Sequence, residues 1–320
     1  MTPTHPRTSE PPSTLMGPGW RTRNRTHVEE LAAGGVWGSF GARSGSATLS
    51  SVLLTWPGDE LAYAGEPSDW LMTERPDLAS MRQEATSIAD FYASRGVSVH
   101  WLRPRQPAPP NLVFACDLFF MTPEGAVLAR MAAEQRAGEE RLAAEALSAA
   151  GIPILLTPTG SATFEGADAV WLAPTVVLIG VGRRTNDEGY RAVRRVLAGQ
   201  GVGASAVEVP AHVQHLLGAV NVVDRDLAVT WRAPRDLAAV LDANGIATLD
   251  FADDDEVVDG RALNFVTLAP REIVMPAGTP RTQRRLEAAG VRCHTLEIRQ
   301  YLRAAGGLGC LTGVIGRRTD

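Results

Sequence analysis

Lysine does not occur in this 320-residue chain, and all 31 basic side chains are arginine. We read that as codon bias, although arginine is also the better clamp for a carboxylate. Cysteine is scarce. Three residues without CxxC spacing build neither a disulfide framework nor a zinc centre, and they point to a reducing compartment. No apolar run approaches the ~18–20 residues that cross a bilayer, and the first residues lack the apolar block of a secretory signal. A basic surface is missing too: the formal net charge is -5, which argues against a nucleic-acid partner. With 45% hydrophobic and 21% charged residues the chain is neither collagen-like nor disordered as a whole. These absences leave a soluble globular protein, expected in the cytoplasm.

Residues 1–26 are rich in proline, threonine, arginine and serine and carry no apolar period, so they read as a disordered tail. Residues 27–320 read as a single domain with a repeat. Five helix-like stretches stop at Arg95-Gly96, Ala150-Gly151, Gln200-Gly201, Asn244-Gly245 and Ala289-Gly290, with the glycines 55, 50, 44 and 45 residues apart. Glycine just past the last helical turn takes the left-handed conformation without strain. Leu78, Met81, Ala85, Ile88 and Tyr92 form the clearest helical stripe. Short β-rich runs follow the stops, and apolar stretches broken by turns precede the helices. Leu112–Phe120 and Ala126–Met131, for example, flank Thr122-Pro123-Glu124-Gly125. Each unit thus reads strand, turn, strand, helix, strand. Such units could form an open doubly wound sheet or close into a ring. Hairpins favour the ring, since a doubly wound sheet is nearly all parallel.

Polar residues stand at similar places in successive units: Asp117, then Glu165 and Asp168, then His215, then Asn264. In a ring, one polar group per unit at a matching register would converge on the axis. Cys310 lies among glycines in Gly306-Gly307-Leu308-Gly309-Cys310, which suits an accessible nucleophile, whereas Cys116 and Cys293 sit in apolar runs and read as core. A thiol, an imidazole and several carboxylates suit attack on a guanidinium carbon: the acids orient the planar cation and the imidazole moves protons. His212 competes with His215 for that role. Gly180-Val181-Gly182 looks like the start of a dinucleotide loop but lacks the third glycine.

Those residues carry a resemblance. Met275-Pro276-Ala277-Gly278-Thr279-Pro280-Arg281-Thr282, Gly306–Cys310, Glu165-Gly166-Ala167-Asp168 and Arg184-Thr185-Asn186 are similar to stretches of the guanidino-group-modifying enzymes of the pentein fold: dimethylargininases, arginine deiminases and dihydrolases, and amidinotransferases. The resemblance runs from about Leu49 to Arg317. It implies an α/β propeller of five pseudosymmetric ββαβ-like units. It makes Cys310 the nucleophile, His215 the general acid and base, and Glu165 the acid that stabilises charged intermediates. Asn111, Asp117 and Asp168 would meet the substrate, and Arg136 and Arg184 would hold its carboxylate. It implies a small guanidino substrate, no metal and no organic cofactor, and leaves homo-oligomerisation open. Cys116 before Asp117 and Ala167 in place of glycine depart from the family pattern. The expected reaction is hydrolysis of arginine or a substituted arginine to a citrulline-like product. An amidinotransferase and a non-catalytic pentein binding protein are the rivals.

Overall fold

The computed structural model describes residues 10–63 and 65–318. Its contacts divide the chain between Trp37 and Gly38. Residues 1–9 of the expected tail lie outside the described residues. The rest of the first unit holds a short 3-10 turn at Ser13–Leu15 and the helix His27–Ala33. Thr26 caps that helix by accepting from the Glu29 amide, while the Glu29 side chain accepts from the Thr26 amide.

From Gly38 onward the stop glycines behave as their spacing predicts. Gly96, Gly151, Gly201, Gly245 and Gly290 all adopt φ between 71° and 80° directly after helices Leu78–Ser94, Glu139–Ala149, Asp187–Gly199, Arg235–Ala243 and Pro280–Ala288. The apolar stripes of these helices face inward; Met81, Ala85, Ile88 and Tyr92 are all buried. Each helix crosses over between two parallel strands.

The fifteen strands are β1 (Leu49–Thr55), β2 (Ser98–Leu102), β3 (Phe119–Thr122), β4 (Gly125–Leu128), β5 (Ile154–Leu156), β6 (Ala169–Ala173), β7 (Val176–Val181), β8 (Gly203–Glu208), β9 (Val220–Asp224), β10 (Leu227–Trp231), β11 (Ala247–Phe251), β12 (Val266–Ala269), β13 (Glu272–Pro276), β14 (Arg292–Leu296) and β15 (Gly313–Arg317). They form five three-stranded sheets, each with one antiparallel and one parallel pairing. The leading strands touch one another in cyclic order: β15 packs on β3, β6 on β9, β9 on β12, and β12 on β1, while the turn before β6 closes the step to β3. This is the five-unit propeller. The first unit has no hairpin of its own. The C-terminal strand β15 supplies its antiparallel partner and so closes the ring, with Leu53 opposite Gly313.

One expected strand is shorter and starts later. Leu112–Phe120 was read as extended throughout, but Pro110–Val113 and Ala115–Leu118 are successive 3-10 turns and only Phe119–Thr122 is strand. An apolar run signals burial, and a buried turn satisfies it as well as a buried strand. The correction matters because Asp117 then projects from a turn. The same device recurs. Gly166–Asp168 precedes β6, Leu216–Gly218 precedes β9 and Leu308–Leu311 precedes β15.

Candidate functional site

Those turns carry the polar residues that the sequence places in register. Glu165 is fully buried, and its carboxylate is the hub. Its Oε2 lies 2.7 Å from His215 Nε2, its Oε1 accepts from the Ala132 amide at 3.1 Å, and Arg184 Nη1 approaches both oxygens at 3.4 Å. Burial opposes ionisation here, but His215, Arg136 and Arg184 together outweigh it and hold Glu165 down to about 2. His215 is the counterpart. Burial disfavours its charged form, yet Asp117, Glu165 and Asp168 push it up to about 9. The resting imidazole is therefore charged at neutral pH. Because Nε2 is committed to Glu165, Nδ1 is the nitrogen left to hand over a proton; it lies 3.7 Å from Asp117 Oδ1.

Asp117 and Asn111 are buried, and the side-chain oxygens Asp117 Oδ1 and Asn111 Oδ1 have no hydrogen-bond partner among the described residues. A buried acceptor without a donor costs about 1–3 kcal/mol, so two of them side by side ask for a ligand rich in N–H groups. Both residues line a small cavity with Arg136, Arg184, Gly306 and Cys310. Cys310 also borders an open cleft of about 800 Å³ that it shares with His215, Asn264, Arg183 and Arg261. Cys310 thus stands where the two spaces meet. Burial, then Asp117, raises its thiol above the ordinary cysteine value. A cation placed against Asp117 would cancel that second cause and favour the thiolate.

Two expected substrate contacts are revised by geometry. Arg136 is buried and its guanidinium is engaged inside the protein. It holds Glu139 at 2.8 Å and Asp117 Oδ2 at 2.6 Å, and lies 3.8 Å from Glu165. In this arrangement it braces the acids while also bordering the small cavity. Asp168 is likewise closed, accepting from Thr185 Oγ1 at 2.7 Å and from the Leu216 amide at 2.9 Å. Burial lifts it to about 6. It ties the turn of Glu165 to the turn of His215. Arg184 lines both spaces and remains placed to reach a ligand. His212 accepts no such role: it packs edge-on against Trp231 and its Nε2 meets the Trp231 carbonyl at 3.1 Å.

Sequence reasoning assigned no role to Asn264, whose shared register was the available signal. Asp117, Glu165 and His215 bring ligand-type atoms within 4.8 Å of one another.

A family model for arginine deiminase matches residues 106–235, the stretch that contains Asn111, Asp117, Arg136, Glu165, Arg184 and His215. The N(G),N(G)-dimethylarginine dimethylaminohydrolase of Pseudomonas aeruginosa is 23% identical over 238 residues, covering 74% of this chain and 89% of that protein. An arginine deiminase of Rhodococcus erythropolis is 26% identical over 245 residues, which is 65% of this chain and 60% of that protein. Among solved structures, the Pseudomonas aeruginosa enzyme with citrulline superposes with a TM-score of 0.70 at 21% identity, over 85% of this chain and 100% of that one. The N-terminal domain of a cyanobacterial arginine dihydrolase, bound to its product, superposes with a TM-score of 0.70 at 17% identity, over 83% and 97%. The chain is similar in sequence to arginine deiminases and dimethylarginine dimethylaminohydrolases, and it shares the pentein fold of the solved structures. The cyclic array of leading strands explains why residues nearly 200 positions apart, Asp117 and Cys310, border one cavity.

Proposed function

We propose that the protein is a cysteine-dependent hydrolase of the guanidino group of arginine or a substituted arginine. The observation that carries this reading is the pair of buried acceptors without a hydrogen-bond donor, Asp117 Oδ1 and Asn111 Oδ1, in a cavity bordered by the Cys310 thiol. A guanidinium brings a planar set of N–H donors to such acceptors.

In this reading the guanidinium docks against Asp117 and Glu165, and its charge lets Cys310 lose its proton to solvent. The thiolate attacks the guanidinium carbon. The leaving nitrogen takes a proton from His215 Nδ1 and departs as an amine, which leaves a positively charged thiouronium adduct facing Glu165. The neutral imidazole then takes a proton from water, and the hydroxide attacks the same carbon. The carbon–sulfur bond breaks, thiolate is regenerated, and a ureido product is released. The covalent adduct divides one difficult displacement into two easier ones. Glu165 works by holding the imidazole upright and countering the cationic intermediates. Arg184 holds the substrate's carboxylate. The cleft of about 800 Å³ beside Cys310 gives water its way in, which favours hydrolysis over transfer to an amine.

None of the helices in the described residues is long and apolar enough to cross a membrane. A cytoplasmic site of action and the absence of a nucleic-acid partner belong to the same proposal.

The test is to incubate the purified protein with arginine, methylated arginines and agmatine and to identify products by mass. A citrulline-type or carbamoyl product supports the reading. A guanidinylated amine formed only with an added acceptor would make it an amidinotransferase, and no product from any of them would overturn it.

A further inference from the structure

Asp117, Glu165, His215 and Cys310 all lie on or beside the turns that precede leading strands, and the turn before β12 is the one that the reaction above leaves without a role. Asn264 stands two residues before that strand. Its side chain makes two contacts with one residue. Oδ1 accepts from the Cys310 amide at 3.0 Å, and Nδ2 donates to Cys310 Sγ at 3.1 Å. The Asn264 carbonyl also accepts from the Gly309 amide at 3.1 Å.

The orientation of the amide is not arbitrary. A backbone N–H can only donate, so the atom facing it must be the oxygen, and the NH₂ group is thereby turned to the sulfur. The neighbouring chain is shaped to permit this. A Cβ at Gly307 or Gly309 would stand 2.7 or 2.9 Å from Asn264 side-chain atoms, too close for any side chain there. The glycines of the cysteine loop thus let the loop close onto Asn264.

We propose that Asn264 is a catalytic residue: its Nδ2–H donates a hydrogen bond to the Cys310 sulfur that strengthens as the sulfur becomes anionic, while its Oδ1 holds the cysteine loop in place. This rests on Cys310 being the nucleophile. A donor aimed at sulfur stabilises thiolate more than thiol, because hydrogen bonds to a charged acceptor are roughly twice as strong as neutral ones. It therefore favours the attacking form and, later, the sulfur as leaving group when water opens the adduct. Burial and Asp117 push the thiol the other way, and the Asn264 donor opposes them together with the Gly307 backbone and Arg261.

The experiment uses the full chain and two uncharged variants, Asn264→Leu and Asn264→Ala, so that no added charge moves the thiol. Iodoacetamide alkylation of Cys310 is followed by mass spectrometry across pH, and kcat and KM for the substrate are measured on the same samples. Loss of the donor should move the alkylation midpoint up by about one pH unit and slow alkylation near neutral pH about tenfold. It should lower kcat about tenfold and leave KM within about twofold. Alanine carries the test if leucine does not pack, with unfolding midpoints matched to the parent protein. An alkylation profile and kcat equal to those of the parent in a folded variant overturn the proposal. Cys310 alkylation that leaves turnover intact would instead overturn the nucleophile assignment, which keeps the two failures apart.

Discussion

The two walls of the candidate site are built differently. The wall from the second and third units is a closed lattice: Arg136 joins Asp117, Glu139 and Glu165, and Asp168 joins Thr185 to the turn of His215. Every one of these side chains is buried. The wall from the fourth and fifth units, with the loop that follows β7, opens on the large cleft, where Arg183 is exposed and Arg261 is half-buried at φ 48°. Among the described residues neither arginine pairs with an acid. The contrast teaches where rigidity is needed. Buried charges hold a fixed receptor for a cation because each partner removes another's desolvation cost. The open wall, where substrate and water enter, is free of such locks.

Four substitutions test that contrast. Cys310→Ala at the junction of the two walls should remove turnover by about a thousandfold or more while leaving the far-ultraviolet circular dichroism unchanged, as expected when a covalent nucleophile is lost. Retained turnover would refute its role. Glu165→Gln at the hub should lower kcat by about 10²–10⁴-fold. It should also move the alkaline limb of the rate profile downward. The carboxylate helps hold His215 up to about 9, and a group with a raised pKa stays protonated to higher pH, so removing the cause lets the imidazole lose its proton earlier. An alkaline limb that stays in place would break the assignment of His215 as the proton donor.

Arg136→Ala, in the closed wall, should cost about 3–5 kcal/mol in denaturant unfolding, because buried Asp117 and Glu139 lose their shared cation. A near-neutral result would show that the lattice is not the rigid element described. Arg183→Ala, on the open wall, should change stability by less than about 0.5 kcal/mol. A larger loss would erase the difference between the walls.

Much of the architecture was legible from local chemistry. The glycines after helices and the turn residues between paired strands report on the few residues around them, so their periods show directly. Leu112–Phe120 was misread because an apolar run says only that a segment is buried. The partners of Arg136 and Asp168 were hidden for another reason. Both are polar residues beside a pocket, and whether such a group faces a substrate or a protein partner depends on contacts such as Arg136 to Asp117 across 19 positions and Asp168 to the Leu216 amide across 48. Asn264 showed its register but not its partner, which lies 46 positions away.

Sequence by itself determined the repeating unit, its helix stops and the chemistry on offer at one position per unit, since these follow from backbone preference and side-chain type. Tertiary structure alone decided which acids face a ligand and which brace one another, that β15 closes the ring onto β1, and that an amide from the fifth unit meets the sulfur. Those outcomes depend on contacts between residues far apart in the chain, which no local pattern encodes.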